Sequence, residues 1–344
     1  MMIETGTAES LLGVLRREAG RPDLAFAGEP VALTGGFWAE LVSFRLANAP
    51  AGWDGPLVGR IMPSAEIAAK ETAFQTEIAR QGYPTPTVHA AGGPDAGVDG
   101  RAFLVMDLAA GAPLLAGLDG MAAIAKVPSL ARRLPKVLAG VLADLHRLDP
   151  APVERALDAA GVEQPREARM VESLREAAAA LGRSDLTAVA VWLEANAPAA
   201  EAAVLCHGDL HPFNVLVDSA GGVTVLDWSA ALLAPATYDL GFTSLVLAEP
   251  PLLVSKRLRP AIRAAGRWVS RRFVRAYEQA AGGRIDPTAL RWQQGVVCLR
   301  ALVEVAGWVA AGSIDDRVGH PWVIAGDAFA DRLRQLTGTS VNPR

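Results

Sequence analysis

The spacing of hydrophobic positions changes character twice along this chain. Between residues 9 and 19 the apolar positions 11, 12, 15 and 19 recur at helical spacing and stop at Gly20, predicting a short amphipathic helix. Alternation then takes over. Residues 31–38 read as a strand entering a glycine turn, 41–46 as the returning strand, and 57–62 as a third strand beyond a Gly/Pro-rich turn. A helix over about 67–80 is halted by Gly82 and Pro84, and a strand over 102–108 closes a small β-rich lobe. From residue 111 onward the helical period dominates. Leu134, Val137, Leu138, Val141, Leu142, Leu145 and Leu148 form one apolar stripe ended by Pro150, and further helices are predicted over 167–181, 190–197, 256–279 and 287–311.

Inside the helical half, two short strand-like runs carry the most informative chemistry. Asp209 is followed by Asn214 and then by Asp227, each beside an apolar run. Phosphoryl transfer from a nucleotide needs one carboxylate to orient and deprotonate an attacking hydroxyl, and an amide and a second carboxylate to hold magnesium on the phosphates. Asp209, Asn214 and Asp227 fit those roles. A competing reading places His207, Asp209 and His211 on one face of a strand as zinc ligands, but it leaves Asn214 and the flanking runs without a purpose.

The segments His207-Gly-Asp-Leu-His-Pro-Phe-Asn214, Leu226-Asp-Trp228 and Tyr238-Asp-Leu-Gly241 resemble the signature of the aminoglycoside phosphotransferase family, small-molecule kinases related to choline kinases and sharing the protein-kinase fold. The resemblance implies an α+β, bilobal, kinase-like architecture. It divides the chain into an N-terminal helical segment (1–26), a β-rich nucleotide-binding lobe (27–107) and a larger, mostly helical lobe (108–344) with a cleft between the lobes. It implies Asp209 as catalytic base, Asn214 and Asp227 as magnesium ligands, and His207, His211 and Asp239 as supports of the catalytic loop. ATP or GTP is the implied phosphoryl donor and Mg2+ the implied metal. Gly35-Gly36 is the candidate phosphate turn, departing from the three-glycine kinase loop. Arg60 stands where protein kinases carry a lysine, as in some relatives, and its carboxylate partner is Glu71 or, six residues along the same helix, Glu77. Residues Met106, Asp107 and Leu108 correspond to the linker whose backbone receives the base.

Composition narrows the setting. A chain of 344 residues, 51% hydrophobic, is long enough for two domains or one bilobal enzyme. A net charge of −4 gives no overall reason to expect a nucleic-acid partner. Cys206 and Cys298 have no paired spacing, as expected of a reducing compartment. The apolar run over 240–254 is broken by Glu249, Pro250 and Pro251, and the start of the chain lacks a signal-peptide pattern. A cytoplasmic protein without a membrane partner is expected; the oligomeric state is left open.

The acceptor should be recognised after residue 240. There Lys256, Arg257, Arg259, Arg263, Arg267, Arg271, Arg272 and Arg275 outnumber the acids, chiefly Glu249, Glu278 and Glu304. This balance argues against a polycationic acceptor and for a neutral or acidic one, such as a hydroxy acid or hydroxyacyl thioester. Trp268, Trp292, Trp308 and Trp322 offer flat contact surface or core packing, and Asp315-Asp316 an amine contact or a helix start. A nucleotide-binding scaffold without transfer activity is the alternative of another class.

Overall fold

A computed structural model describes residues 5–33, 39–115, 121–163, 167–251 and 257–344, without the side chains of 5, 121–130 and 167–168. In chain order its main elements are α1 (Thr5–Ala19), β1 (Ala25–Phe26), β2 (Val31–Leu33), β3 (Glu40–Phe44), β4 (Leu46–Ala47), β5 (Leu57–Met62), α2 (Ala65–Arg80), β6 (Val88–Gly92), β7 (Ala102–Asp107) and β8 (Ala112–Pro113). There follow α3 (Met121–Leu145), α4 (Ala151–Ala159), α5 (Glu167–Ala180), α6 (Ser184–Ala195), β9 (Val204–Cys206), β10 (Val215–Val217), β11 (Val223–Val225) and β12 (Leu232–Ala234). The chain ends with α7 (Thr237–Ala248), α8 (Arg259–Ala281), α9 (Pro287–Ala310) and α10 (Pro321–Thr337). The fold is α+β with a sheet-rich N-terminal region and a helical C-terminal region, as anticipated.

The chain divides into two compact units, 1–116 with 148–164 and 213–231, and 117–147 with 165–212 and 232–344. The division does not follow a single cut at residue 108. Residues 213–231 belong to the first unit because β10 pairs with both β11 and β8, the segment just after β7. Asn214 and Asp227 therefore share a unit with Arg60, and Asp209 lies in the other.

In the first unit an antiparallel sheet runs β2-β3-β5-β7-β6. One of its cores is Leu11, Val14, Leu15, Phe44, Leu57, Ile61, Phe103 and Val105, so the predicted N-terminal helix packs beneath the strands. The strand read over 41–46 is interrupted: Arg45 separates β3, which pairs with β2 and β5, from β4, which pairs with β1. Ser64 caps α2, its hydroxyl accepting from the Ile67 N–H at 3.3 Å.

In the second unit α9 forms the central helix. Its apolar residues from Val296 to Val305 join Leu186, Val189, Leu193, Phe242, Leu245, Trp322 and Phe329 in one core. Asp286 caps α9 by accepting from the Thr288 and Ala289 N–H groups, with Pro287 in the first turn. Helix α6 starts at Ser184 rather than 190 because Leu186, Val189, Ala190 and Leu193 are all buried against this core and extend the helix backwards. Helix α8 buries Gly266, Ser270, Phe273 and Tyr277. A Cβ at Gly266 would lie 2.5 Å from the Leu247 carbonyl oxygen, so glycine there permits close packing on α7. No helix among the described residues is long and apolar enough to cross a membrane.

Candidate active site

In the first unit, strand β5 and helix α2 bring Arg60 and Glu71 together, beside Asp227 from far along the sequence. The Arg60 guanidinium lies 3.3 Å from Glu71 and 3.5 Å from Asp227, so one cation serves two carboxylates. Glu71 is the partner the sequence left undecided. Glu77 instead pairs with Arg80 one turn along α2, because residues six apart sit on different helix faces. The Glu71 side chain is fully buried, and neither of its oxygens has a well-aligned hydrogen-bond donor among the described residues. Burial, only partly opposed by Arg60 and reinforced by Asp227, pushes its carboxyl up to about 7.

Asp227 is held in a left-handed conformation, φ 65°, sparsely populated by non-glycine residues and found at sites where surrounding structure enforces it. Its enforcement is visible here. Its Oδ1 accepts from the Ser229 hydroxyl at 2.7 Å. On the preceding side the Val225 N–H donates to the Pro84 carbonyl. On the following side the buried Trp228 donates its indole N–H to Thr85 and meets Tyr83 edge-on. The Tyr83-Pro-Thr-Pro86 element that ends α2 thus anchors the turn carrying Asp227. Asn214 is half-buried just before β10, and its carbonyl accepts from the Leu226 N–H, tying the two candidate metal-binding segments together.

The linker residues all have partners within the first unit. Met106 is buried beneath α2, with the Gln75 amide 3.2 Å from its sulfur. The Asp107 N–H already donates to Thr87 and the Leu108 N–H to Pro56, so neither donor is left for a base edge. The Asp107 carboxylate bonds His89 at 2.7 Å. Gly35 and Gly36 lie outside the described residues.

In the second unit the catalytic-loop candidate is held from below. The buried Asp239 carboxylate, at the start of α7, accepts from the N–H groups of His207 at 2.8 Å and Gly208 at 2.7 Å and bonds His146 Nε2 at 3.1 Å. Burial alone would raise this carboxyl, but the hydrogen bond and charge of His146 and the backbone donors hold it below its ordinary range. Gly208 has φ 78°, a left-handed turn that glycine adopts without Cβ strain. Further support comes from the Thr243 hydroxyl, which donates to the Leu210 carbonyl at 2.8 Å. Asp209 itself is partly exposed, its N–H donating to His207 Nδ1 at 3.3 Å, with His211 Nε2 at 3.8 Å from its carboxylate. Strand β9 ends at Cys206, so residues 207–211 are a loop and the alternating face on which the zinc reading depended does not exist.

Sequence reasoning missed His146, whose other ring nitrogen bonds the Tyr277 hydroxyl at 2.7 Å. The signal was present: His146 stands one turn after Leu142, in line with the apolar stripe. It also missed Arg300, a lone cation inside the apolar stretch of α9.

The sequence of residues 44–292, well over half the chain, matches the profile of the phosphotransferase enzyme family. The chain belongs to that family. Its fold agrees. A candidate aminoglycoside phosphotransferase from Ralstonia eutropha JMP134 is 18% identical with a TM-score of 0.61, over 95% of this chain and 98% of that one. A type I macrolide 2'-phosphotransferase is 16% identical with a TM-score of 0.57, over 98% of both chains. A thermostable mutant of aminoglycoside phosphotransferase APH(4)-Ia, in a ternary complex with AMP-PNP and hygromycin B, is 18% identical with a TM-score of 0.57, over 96% of this chain and all of that one. No curated protein matches the chain significantly in sequence.

Proposed function

We propose that this phosphotransferase moves the γ-phosphoryl group of ATP to a hydroxyl of a small molecule in a magnesium-dependent reaction. The observation that carries the reading is Arg60, shared between buried Glu71 and an Asp227 locked in a left-handed turn. A guanidinium fixed in this way offers a directed fork to phosphate oxygens. Support for ATP over GTP comes from the AMP-PNP bound to the APH(4)-Ia mutant. Asp227 and Asn214 provide the hard oxygen donors that magnesium takes, and bound there the metal would neutralise phosphate charge. Asp209 orients the acceptor hydroxyl and accepts its proton, on a loop whose backbone Asp239 fixes. The two cysteines are buried and form no disulfide, in accord with a reducing, cytoplasmic setting.

Turnover of magnesium–ATP against a panel of hydroxylated compounds tests the reading. Asp209→Asn is expected to lose transfer by roughly 10²–10⁴-fold while nucleotide binding persists. Asp227→Ala should weaken ATP binding more with magnesium than without it. Near-normal transfer by the first variant, or equal losses in the second, would overturn these roles, and a wild-type protein that binds nucleotide without transfer would be the scaffold alternative.

A further inference from the structure

The arginines of α8, on which a preference for acidic acceptors first rested, do not supply it. The buried positions 266, 270, 273 and 277 define the packed face of α8, and Arg259, Arg267, Arg271 and Arg275 are exposed away from it. Arg263 pairs with Glu249 at 2.8 Å, and the Arg272 guanidinium lies over the exposed Trp268 ring. The four exposed arginines form a solvated face, while Arg263 and Arg272 are half-buried and already engaged.

Helix α9 is different. From Trp292 to Ala306 every residue is buried except Arg300 and Glu304, which stand four apart on one face. Along this stretch the central helix of the unit is partly exposed only at those two residues, one of them a cation. The Arg300 guanidinium donates to the Tyr238 hydroxyl at 3.1 Å and lies over the Phe242 and Trp322 rings, each centroid 5.8 Å away. Held by these partners, it has no carboxylate of the described residues within ion-pair distance, and the residue keeps part of its surface exposed. Glu304, the acid of the same face, is engaged by the Trp322 indole at 3.1 Å.

Its place relative to the candidate base follows from α7. Arg300 packs on Tyr238 and Phe242, and the residues following them, Asp239 and Thr243, are those that bond residues 207, 208 and 210 around Asp209. Charge attraction between Arg300 and Asp209 agrees with that proximity.

We propose that Arg300 is the acceptor-recognition residue, taking a carboxylate or phosphate group of the same molecule whose hydroxyl is presented to Asp209. The acceptor class is then an anionic hydroxyl compound. An arginine pre-set by hydrogen bonding and two aromatic faces loses little freedom on binding, and its fork matches planar anionic groups. A polycation would meet repulsion there. The assignment rests on the phosphotransferase reading.

The test measures ADP formation from magnesium–ATP with short-chain 2- and 3-hydroxy carboxylic acids, their methyl esters, sugar monophosphates and kanamycin, in the wild type, Arg300→Gln and Arg300→Lys. At least one anionic compound is expected to outperform its uncharged counterpart and kanamycin. Arg300→Gln should raise the KM for that compound about 10–100-fold, move KM more than kcat, and collapse the preference over the uncharged counterpart. Arg300→Lys, keeping the charge without the fork, should restore part of the preference, and it decides the matter where the glutamine variant fails to fold. The proposal is overturned if no anionic compound stimulates turnover, if ester and acid serve equally, or if both variants depress charged and uncharged acceptors alike. Calorimetric titration of the wild type with magnesium–ATP separates the causes. Binding without charge preference sinks the Arg300 assignment alone, whereas absent nucleotide binding sinks the phosphotransferase reading beneath it.

Discussion

Glu71 has a fully buried carboxyl, and its nearest cation, Arg60, is also spent on Asp227. Because burial raises this group from 4.5 to about 7, the folded protein keeps a proton between those values that the unfolded chain has released. The stability this contributes is present below the lower value and is lost as pH rises through the upper one, on the order of 3 kcal/mol across the window. Glu71→Gln cannot titrate. Its unfolding free energy relative to wild type is expected to improve between about pH 4.5 and pH 7 and to level off above that in urea titrations, while ATP turnover above pH 7 falls because an amide holds Arg60 less firmly than the ionised carboxylate. A stability difference independent of pH would show that Glu71 stays ionised throughout. At Arg60, a lysine substitution keeps the charge but not the two-armed reach to Glu71 and Asp227, so Arg60→Lys should weaken magnesium–ATP binding measurably in calorimetry.

Helix α7 acts as a bracket for the loop after β9, its Asp239 receiving two backbone N–H groups and its Thr243 hydroxyl bonding a third residue. Removing the charge leaves those donors facing a weaker acceptor in a buried site. Asp239→Asn is expected to cost about 2–4 kcal/mol of stability and to lower kcat more than it changes the KM for ATP, since Asp209 loses its register. Loss of stability with normal kcat would confine Asp239 to folding. The wild-type contribution is present above the ordinary carboxylate value of 3.8 and is lost as pH falls through the depressed one in the fold. On the same loop, Gly208→Ala imposes a Cβ on a φ of 78° and is expected to cost about 1–2 kcal/mol.

At the scale of the second unit, charge is sorted between the exposed arginines of α8 and the half-buried Arg300 of α9. Substituting Arg267, Arg271 and Arg275 of α8 by Gln should change stability by no more than about 0.5 kcal/mol per site in denaturant titrations and leave the choice of acceptor intact, in contrast to Arg300. A shift of acceptor preference in that triple variant would return recognition to α8. Both cysteines are buried, and burial pushes the Cys298 thiol up; a thiol probe should therefore react at the rate of unfolding rather than on mixing.

Local rules determined much of this protein. The pattern of apolar positions was enough for α1, the strands around β5, α2 and the helical half, because periodicity records which face is buried. The order Asp209, Asn214, Asp227 and the resemblance it carries were legible because catalytic-loop chemistry is packed into one short stretch. Tertiary structure decided the rest. Only three-dimensional packing chose Glu71 over Glu77, since both satisfy the same helix and only one face of α2 meets Arg60. It divided Arg45 from its strand, gave residues 213–231 to the first unit through the pairing of β10 with β8, and spent the linker N–H groups on Thr87 and Pro56. It also set the exposed Arg259, Arg267, Arg271 and Arg275 of α8 apart from Arg300 of α9, which faces aromatic rings beside the catalytic loop. A residue's type is written in the sequence, but its burial and its partner across a long separation are properties of packing, and those set what its charge can do.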